Sequence, residues 1–339
     1  MGVEKNNCYV FLVLACSMFF LQPAFSSENE PVEPKEIKQV DFPLSYGEIK
    51  AAALYWYSNQ SGMGYTTSPQ STFTTSDFSG GHLVNPNYDW EPGFRIDLAY
   101  GFNKSHWSIG ADLIWYHGKG RGSQNTEATE GLFPAFSFAS DSLSTDYANS
   151  ATIDWKLHFT LFDVLTSYEW CVNSWFSLIP SLGLRNGWIA EKSEIQYQGG
   201  TYAAGADIVL LNSHFYGIGP RLALKPQFLL GKGFSFYAEG AGTFFAGWFN
   251  IKQSETFLGA SRAFLDRKVS GGRWAVDTTA GLVYTYSISN RSSISFDLGF
   301  DYLVFFSQNE FVRASQFSVQ KQGTALSLFG LHASLGSRF

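Results

Sequence analysis

The stretch Phe329-Gly330-Leu331-His332-Ala333-Ser334-Leu335-Gly336-Ser337-Arg338-Phe339 decides the fold class. In an extended strand, successive side chains point to opposite faces. One face of this stretch then carries the apolar residues Phe329, Leu331, Ala333, Leu335 and Phe339, whereas the other carries small or polar residues. An apolar face that ends on an aromatic residue is typical of the last strand of an outer-membrane β-barrel, so the stretch predicts a chain embedded in lipid.

The first 26 residues have the features of a secretory signal peptide. A short polar start with Lys5 precedes an apolar run at 9–21, and small residues at 24–26 fit a cleavage site. An uncleaved membrane helix and lipidation at Cys16 are the alternatives. The run is short for a membrane helix, and it continues past Cys16 where a lipoprotein would have a polar tether. We therefore expect a cleaved signal peptide at residues 1–26 and export from the cytoplasm.

The composition also favours a membrane protein without membrane helices. Aromatic residues make up 17% of the chain and charged residues only 15%, against about 25% charged in ordinary soluble domains. No apolar run of about 18 residues follows the signal, yet 32 Phe, 17 Tyr and 10 Trp must be accommodated. A transmembrane barrel turns such side chains toward lipid, and its alternating strands give no hydropathy peak.

Ten segments with period-two alternation follow a Pro-rich and acidic lead-in at residues 27–48. They lie at residues 49–57, 94–102, 107–115, 152–168, 176–184, 216–225, 234–250, 274–286, 294–306 and 329–339. In each segment we assign the apolar face to lipid. For the fourth segment this places Ile153, Trp155, Leu157, Phe159 and Leu161 outside, and Asp154, Lys156 and His158 inside.

The connections between these segments alternate in length, which is a signature of outer-membrane barrels. Long connections span 58–89, 117–151, 193–211, 251–272 and 308–323, and short turns centre on Lys104, Asn173, Lys232 and Asn290. We predict an all-β, transmembrane, antiparallel up-and-down β-barrel of about 10 strands over residues 49–339. Twelve strands result if 117–151 or the seventh segment is split, and a soluble β-sandwich is the alternative fold.

Charged side chains must point into the lumen, because lipid offers them no hydrogen-bond partner. The predicted pore-lining residues are Arg95, Asp97, Asp112, Lys156, Arg185, Arg221, Glu239 and Asp297. These residues either line an aqueous path or pair across a narrow interior, since ten strands lie between filled and open barrels. His158 and His332 are the histidines placed in the lumen, and the sequence shows no metal-ligand spacing such as His-x-x-x-His.

Four stretches carry a resemblance to a known family. They are Asn87-Tyr88-Asp89-Trp90-Glu91-Pro92-Gly93-Phe94-Arg95, Trp155-Lys156-Leu157-His158-Phe159, Pro180-Ser181-Leu182-Gly183-Leu184-Arg185 and Phe215-Tyr216-Gly217-Ile218-Gly219-Pro220-Arg221. From about Tyr88 to Phe339 the chain resembles the Legionella-type major outer membrane protein family, which also includes porin-like proteins of chlamydia-related bacteria. The resemblance implies a pore-forming barrel and supplies no catalytic residues. Cysteine-rich relatives are cross-linked by disulfides, and a mature chain with Cys171 alone departs from that pattern.

We expect an outer-membrane pore of a Gram-negative-type bacterium, through which small hydrophilic solutes or ions diffuse passively, with the long loops outside the cell. A non-conducting barrel whose long loops bind a host surface or a ligand is the alternative. The expected partners are outer-membrane lipid and the barrel-assembly machinery, with Phe329, Leu331, Leu335 and Phe339 as the assembly signal. A homo-oligomer stays open. A net charge of −6 gives no basis for nucleic-acid binding, and we expect neither enzyme activity nor a cofactor.

Overall fold

The computed structural model describes residues 45–68, 70–71, 82–103, 105–127, 130–137, 146–289, 292–315 and 318–339. The expected signal peptide at 1–26 and nearly all of the lead-in at 27–48 lie outside these residues. The first strand begins at Tyr46, three residues before the start predicted from the sequence. Within the described ranges, no helix has the length and apolar character needed to cross a bilayer.

Ten long antiparallel strands form a closed barrel. The strands are β1 (Tyr46–Gln60), β2 (Trp90–Gly101), β3 (Trp107–Asn125), β4 (Ser150–Tyr168), β5 (Phe176–Gly199), β6 (Tyr202–Gly231), β7 (Phe234–Phe257), β8 (Ala260–Ser287), β9 (Ser293–Phe305) and β10 (Leu326–Arg338). Each strand pairs with the next along the chain, and β1 pairs with β10 from Glu48–Arg338 to Gln60–Leu326. This closure satisfies the backbone of both outer strands, as a bilayer requires. The predicted barrel and its count of ten strands are confirmed.

Short strands lie within the connections between the long strands. They are Thr66–Thr67, Gln70–Ser71, Leu83–Val84, Asn87–Tyr88, Glu130–Gly131, Trp170–Cys171, Val312–Ser315 and Ser318–Lys321. Most of them pair with each other at one end of the barrel, such as Thr66–Thr67 with Leu83–Val84. These strands fix the backbone path of the described parts of the long connections.

The four predicted short turns are all present at one end of the barrel. They connect the strands across residues 102–106, 169–175, 232–233 and 288–292. Two of the predicted turn centres, Lys104 and Asn290, lie outside the described residues. In the tightest of them, Gly231, Lys232 and Gly233 all have positive φ, between 52° and 88°, which two-residue hairpins require. Short turns mark the periplasmic end of an outer-membrane barrel.

Two of the five predicted long loops are wrong, because residues 193–211 and 251–272 are almost entirely strand. The β5–β6 hairpin turns at residues 200–201 and the β7–β8 hairpin at 258–259. Gly199, Gly200 and Gly259 adopt the positive φ of tight hairpin turns. Long connections remain at 61–89, 126–149 and 306–325. Some of the polar residues that suggested loops, such as Gln198 and Lys252, lie on the outer wall of strands that continue beyond the membrane, whereas others, such as Asp207 and Glu255, are buried inside.

An aromatic row on the outer wall marks where the strands leave the membrane. Trp188, Tyr216 and Trp248 are paired in register across β5, β6 and β7, and Trp115 lies at the same level on β3. A second group of exposed rings, including Trp107, Trp175 and Tyr284, lies near the short turns. With strands rising about 3.3 Å per residue at a tilt of about 40°, the two groups are roughly 20 to 30 Å apart. That spacing fits the two aromatic girdles of a membrane barrel.

The face assigned to lipid in the first part of the fourth segment is wrong. In β4, Trp155 and Phe159 are fully buried inside the barrel, together with Ile153, Leu157 and Leu161. Lys156 lies on the outer wall with 53% of its side chain exposed, and His158 is exposed beside it. This part of β4 lies beyond the aromatic row, where the outer wall faces water. The usual rule for soluble proteins then applies, and the apolar side chains pack inside.

The interior of this outer extension is a dry core to which the long connections contribute. Its residues include Trp155, Phe159, Ile189, Tyr197, Val209, Leu211, Phe215, Phe249 and Ile251 from the strands. Met63, Tyr65, Leu132, Phe136 and Phe311, from the connections, are buried against them. On β5 and β6 the extension projects roughly 25 Å beyond the aromatic row.

We predict that single cysteines on β4 report this inverted face. In a Cys171→Ser background, Lys156→Cys should react in intact cells with a membrane-impermeant maleimide, because position 156 faces external water. Leu157→Cys should stay unlabelled until the protein is denatured, because position 157 faces the packed interior. Labelling at 157 with protection at 156 would contradict the orientation of β4.

Candidate functional site

The membrane-embedded half of the lumen contains a polar cavity of about 440 Å³. It extends from the middle of the barrel to the periplasmic strand ends, where residues of the 102–106 turn and Arg338 line it. Its charged lining residues are Glu48, Lys50, Arg95, Asp97, Asp112, Glu169, Arg221, Lys225, Glu239 and Arg338. Five of these side chains are acidic and five are basic, so the cavity has no dominant charge.

A cluster of buried ion pairs forms the outer end of this cavity. The Arg185 guanidinium donates to both carboxylate oxygens of Asp163, each at 2.7 Å, and to Asp277 at 2.8 Å. Arg221 donates to Asp277 at 2.5 Å and to Glu239 at 3.0 Å. Arg185, Asp163 and Arg221 are at most 3% exposed. The two-pronged contact with Asp163 fixes the Arg185 guanidinium, and Arg221 joins Asp277 to Glu239 through Nη2. The cluster therefore acts as a cross-brace between β4, β5, β6, β7 and β8.

Two further polar groups line the same half of the lumen. Arg95 pairs with Asp97 at 3.2 Å and with Asp112 at 2.6 Å, across β2 and β3. On the opposite wall, Tyr237 donates to Asp297 at 2.9 Å. Beside Asp297, His332 lies 2.9 Å from Asp301, which also accepts from Thr279 at 2.8 Å. The Thr279 hydroxyl therefore hydrogen-bonds a carboxylate instead of the imidazole, whereas the Tyr237 hydroxyl lies 3.2 Å from His332 Nε2.

Seven of the eight predicted pore-lining residues point into the lumen. They are Arg95, Asp97, Asp112, Arg185, Arg221, Glu239 and Asp297. The eighth, Lys156, is a correction, because it lies on the outer wall of the extension. Of the C-terminal residues, Leu331, Leu335 and Phe339 are exposed on the lipid side and Phe329 packs beside them among girdle rings. Their role in assembly stays a prediction.

Sequence reasoning missed Asp163, which is central to the ion-pair cluster. The error came with the inverted face of β4, because that assignment also placed Asp163 toward lipid. A carboxylate facing hydrocarbon is costly, and this conflict was the signal that could have revealed the correct face. Within the described ranges, no group of three or more His, Cys, Asp or Glu is arranged to hold a metal.

An aromatic layer lies between the ion-pair cluster and the outer mouth. Phe245 packs against Phe305, with ring centroids 6.0 Å apart, and Phe305 packs edge-on against Phe159 at 5.4 Å. Trp56 and Tyr116 continue the layer on the other side of the lumen. All five side chains are essentially inaccessible to solvent. The layer separates the polar cavity from the extension.

Segments of the long connections fill the outer mouth. We call residues 61–68, 132–137 and 308–315 the plug. The Gln253 side chain donates to the Val312 carbonyl and accepts from the Val312 amide, both at 3.0 Å. Arg313 donates to the carbonyls of Gly62 and Gly64, and Glu310 pairs with Lys321 and Arg273. The plug is therefore held by directed hydrogen bonds as well as by apolar burial.

A pair of buried carboxyl groups lies in the extension, next to the plug. Asp207 on β6 and Glu255 on β7 are both fully buried, and Ser137 of the plug donates to Glu255 at 2.7 Å. Burial, and then the neighbouring Glu255, raise the pKa of the Asp207 carboxyl to about 7 from its ordinary 3.8. Between these two pH values the folded protein keeps a proton that the unfolded chain has lost. The extension therefore loses stability as the pH rises through this window.

We predict that Arg185→Met strongly destabilises the barrel. The substitution leaves Asp163 and Asp277 buried next to one another with fewer partners, which costs about 3–5 kcal/mol. Urea unfolding in detergent micelles, followed by tryptophan fluorescence, measures the change. Arg121→Met, on the exposed outer wall, is the control and should change stability by less than about 1 kcal/mol. Adding Asp163→Asn to Arg185→Met should recover part of the loss, and no recovery would contradict a charge-based cause.

We also predict that Asp207→Asn makes the extension less sensitive to pH. The wild-type extension should resist protease better at pH 5 than at pH 8, because Asp207 is protonated at the lower pH. Asp207→Asn should lose less resistance between the two values than the wild type does, and it should exceed the wild type at pH 8. The pH dependence that remains comes from Glu191 in the same extension, because burial raises the pKa of its carboxyl to about 8. Asp154→Asn, on the exposed wall, is the control. Equal loss of resistance with rising pH in wild type and Asp207→Asn would show that this carboxyl is not responsible.

Comparison with known proteins agrees with this architecture. A family model described as Legionella pneumophila major outer membrane protein precursor matches residues 45–338. No curated protein matches the chain.

Solved structures of outer-membrane proteins align with the chain at low identity. The outer membrane protease OmpT from Escherichia coli aligns with a TM-score of 0.42 and 10% identity, covering 87% of this chain and 96% of that one. The outer membrane protein OprG from Pseudomonas aeruginosa gives 0.30 and 8%, covering 86% and 97%. The toluene transporter TodX from Pseudomonas putida gives 0.31 and 11%, covering 87% and 89%. At these values no activity transfers from any of them.

The family match spans all ten strands of the barrel. The outer-membrane location that the aromatic girdles and lipid-facing walls indicate is the location of that family. The chain therefore belongs to the Legionella major outer membrane protein family, and it is an outer-membrane β-barrel.

Proposed function

We propose that this barrel is a pore for small hydrophilic solutes and ions, and that the arrangement described above is its closed state. The observation that carries the proposal is the cavity of about 440 Å³ lined by charged side chains inside the membrane-embedded barrel. Such a space holds water, because it is roomy and surrounded by polar groups. A ten-stranded barrel with a purely structural interior would fill this space with side chains.

The lining charges favour weak ion selectivity. Five acidic and five basic side chains line the cavity, so neither cations nor anions meet a net opposing field. Arg95 and Asp97 are accessible within the cavity, with 27% and 30% of their side chains exposed. The ion-pair cluster of Arg185 and Arg221 holds the wall in place, and two of its members, Arg221 and Glu239, also line the cavity.

Conduction requires the plug to move. The aromatic layer and the plug lie between the cavity and the outside, and the plug belongs to connections that are anchored at both ends to strands. The paired hydrogen bonds between Gln253 and Val312 attach the segment 308–315 to the inside of β7. Release of this segment is the simplest way to open the outer mouth, because it leaves the backbone of the barrel wall unchanged. Side chains of the aromatic layer must also turn aside before the cavity is continuous with the outside.

The packed extension favours a second function, a non-conducting barrel that presents a binding surface. Its interior is a mostly apolar core that also encloses Asp207 and Glu255, and its outer wall projects beyond the aromatic row. A rigid, water-exposed extension of this kind suits contact with another surface. Under this function the core never opens, so conductance separates the two proposals.

We predict small conductance steps when the purified protein is inserted into a planar lipid bilayer. Gln253→Ala should raise the open fraction, because it removes both hydrogen bonds to Val312. Asp97→Asn should shift the reversal potential in asymmetric potassium chloride toward anion preference, because it leaves the cavity with one more base than acids.

Lys156→Gln is the matched control for the selectivity measurement. It changes the net charge by one unit in the opposite direction, on the outer wall, and it should leave the reversal potential unchanged. Absence of steps in both wild type and Gln253→Ala would overturn the pore and favour the binding surface.

A further inference from the structure

The outer wall immediately beyond the aromatic row carries a registered band of basic residues. The first outward-facing level beyond the row contains, across β3 to β8, His117, His158, Ala190, His214, Asn250 and Lys268. The next outward-facing level contains Lys119, Lys156, Lys192, Asn212, Lys252 and Asp266. We call the five lysines and three histidines of these two levels the basic belt. It spans six adjacent strands.

The belt stands out against the charge of the chain. The whole protein has a net charge of −6, whereas the belt brings five lysines onto one side of the wall. The carboxylates that pair with it are Glu91, 3.0 Å from Lys119, and Asp154 and Asp266, each 3.9 Å from a lysine. Lys192 and Lys268 make no ion pair within the described ranges, and both are exposed.

The existing ion pairs leave the lysines available to a ligand. Lys156 and Lys252 keep 53% of their side chains exposed although each has a carboxylate partner. Exposed pairs contribute only about 0–1 kcal/mol, because water competes for both charges. Both ammonium groups can therefore turn to a more highly charged anion.

A groove of about 590 Å³ lies within the belt. Its rim carries His158, His214 and Lys268, and its inner edge carries the rings of Trp188, Tyr216 and Trp248. Ala190 lies between His158 and His214 in the strand register, and its small side chain leaves room there. The three rings form a continuous platform, with neighbouring centroids 5.7 Å and 5.8 Å apart.

The wall on the membrane side of the groove is apolar and exposed. Leu184 on β5 and Leu222 on β6 point outward with 52% and 63% exposure. In order along the membrane normal, the surface therefore presents aliphatic side chains, then aromatic rings, then cations. This order matches a lipid whose acyl chains lie on the barrel and whose headgroup ends in phosphate. A soluble polyanion would not need the aromatic and aliphatic levels.

We propose that the basic belt binds the phosphate groups of a phosphorylated glycolipid in the outer leaflet. The lysines and histidines contact the phosphates, the tryptophan and tyrosine rings contact the sugar, and the acyl chains cover the leucines beneath. Aromatic rings are favoured at the level of membrane headgroups, and basic clusters at that level attract anionic lipid. Since the belt spans six strands, one or more such lipids would coat this side of the barrel.

The test measures lipid binding in nanodiscs of phosphatidylcholine doped with bisphosphorylated lipid A. Bound lipid A is counted by native mass spectrometry after gentle release from the disc. We expect Lys192→Gln to weaken binding roughly fivefold, and the triple variant Lys156→Gln, Lys192→Gln, Lys268→Gln to weaken it by roughly a hundredfold, since each lysine near an anionic lipid contributes about fivefold. Lys232→Gln, an exposed lysine at the periplasmic turn, is the matched control and should bind as the wild type does.

Four outcomes would overturn the proposal. The triple variant could bind lipid A as tightly as the wild type while remaining folded, as judged by heat-dependent migration in gels. Dephosphorylated lipid A could bind the wild type and lose as much binding in the triple variant as lipid A does, which would show that the lysines do not bind the phosphates. Inorganic phosphate alone could displace lipid A, which would make the belt a site for free phosphate. A sulfated polysaccharide could bind the wild type in discs without lipid A while lipid A itself does not, which would assign the belt to a soluble polyanion.

Discussion

The change of solvent along the outer wall governs the rest of the structure. Up to the aromatic row of Trp188, Tyr216 and Trp248 the wall faces hydrocarbon, and beyond it the same strands face water. A strand crosses this boundary without interruption, because its backbone hydrogen bonds are made to neighbouring strands in either solvent. On the membrane side its outward side chains must be apolar, and on the water side they must be polar. Every feature of the lumen follows from this reversal.

On the membrane side the apolar side chains face lipid, so the polar side chains point into the lumen. Charges confined there must neutralise each other, and Arg185 and Arg221 do so with Asp163, Asp277 and Glu239. Beyond the row the lysines face water, and the lumen receives residues such as Trp155 and Phe159. The barrel therefore has a wet half and a dry half, joined by the aromatic layer around Phe245 and Phe305.

The sequence was sufficient to predict the structure where the outer wall of a whole segment faces a single solvent. The ten strands, the four short turns and the lumen position of Arg95, Asp97 and Asp112 follow from period-two alternation and from the exclusion of charge from lipid. The β4 face failed because its apolar residues and its charge at Asp163 share one parity, and the apolar residues were given the greater weight. The extended hairpins were missed for a related reason. Polar residues such as Lys192 and Asn212 alternate with buried ones there, and without knowing where the membrane ends they resemble a loop.

The dry half also determines how a pore in this barrel would open. Met63, Tyr65, Leu132, Phe136 and Phe311 of the plug are fully buried, and exposing each one to water costs about 1.5–3 kcal/mol. Releasing the whole plug at once would therefore cost roughly 8–15 kcal/mol, an upper value because the released segments stay partly compact. A cost above about 5.5 kcal/mol already leaves fewer than one molecule in about 10⁴ open.

Opening by one segment is far less costly. The segment 308–315 would expose Phe311 and Val312, and its other attachments include hydrogen bonds of Gln253, Asn309 and Arg313 and the ion pairs of Glu310. Hydrogen bonds of this kind contribute about 0.5–1.5 kcal/mol each, because water replaces them when they break. The energetics therefore favour a narrow opening of the outer mouth between a displaced 308–315 segment and the wall of β7 and β8, with the other two plug segments still in place and the aromatic layer around Phe245 as the remaining barrier. An opening of that width would admit ions and small solutes while the extension keeps its fold.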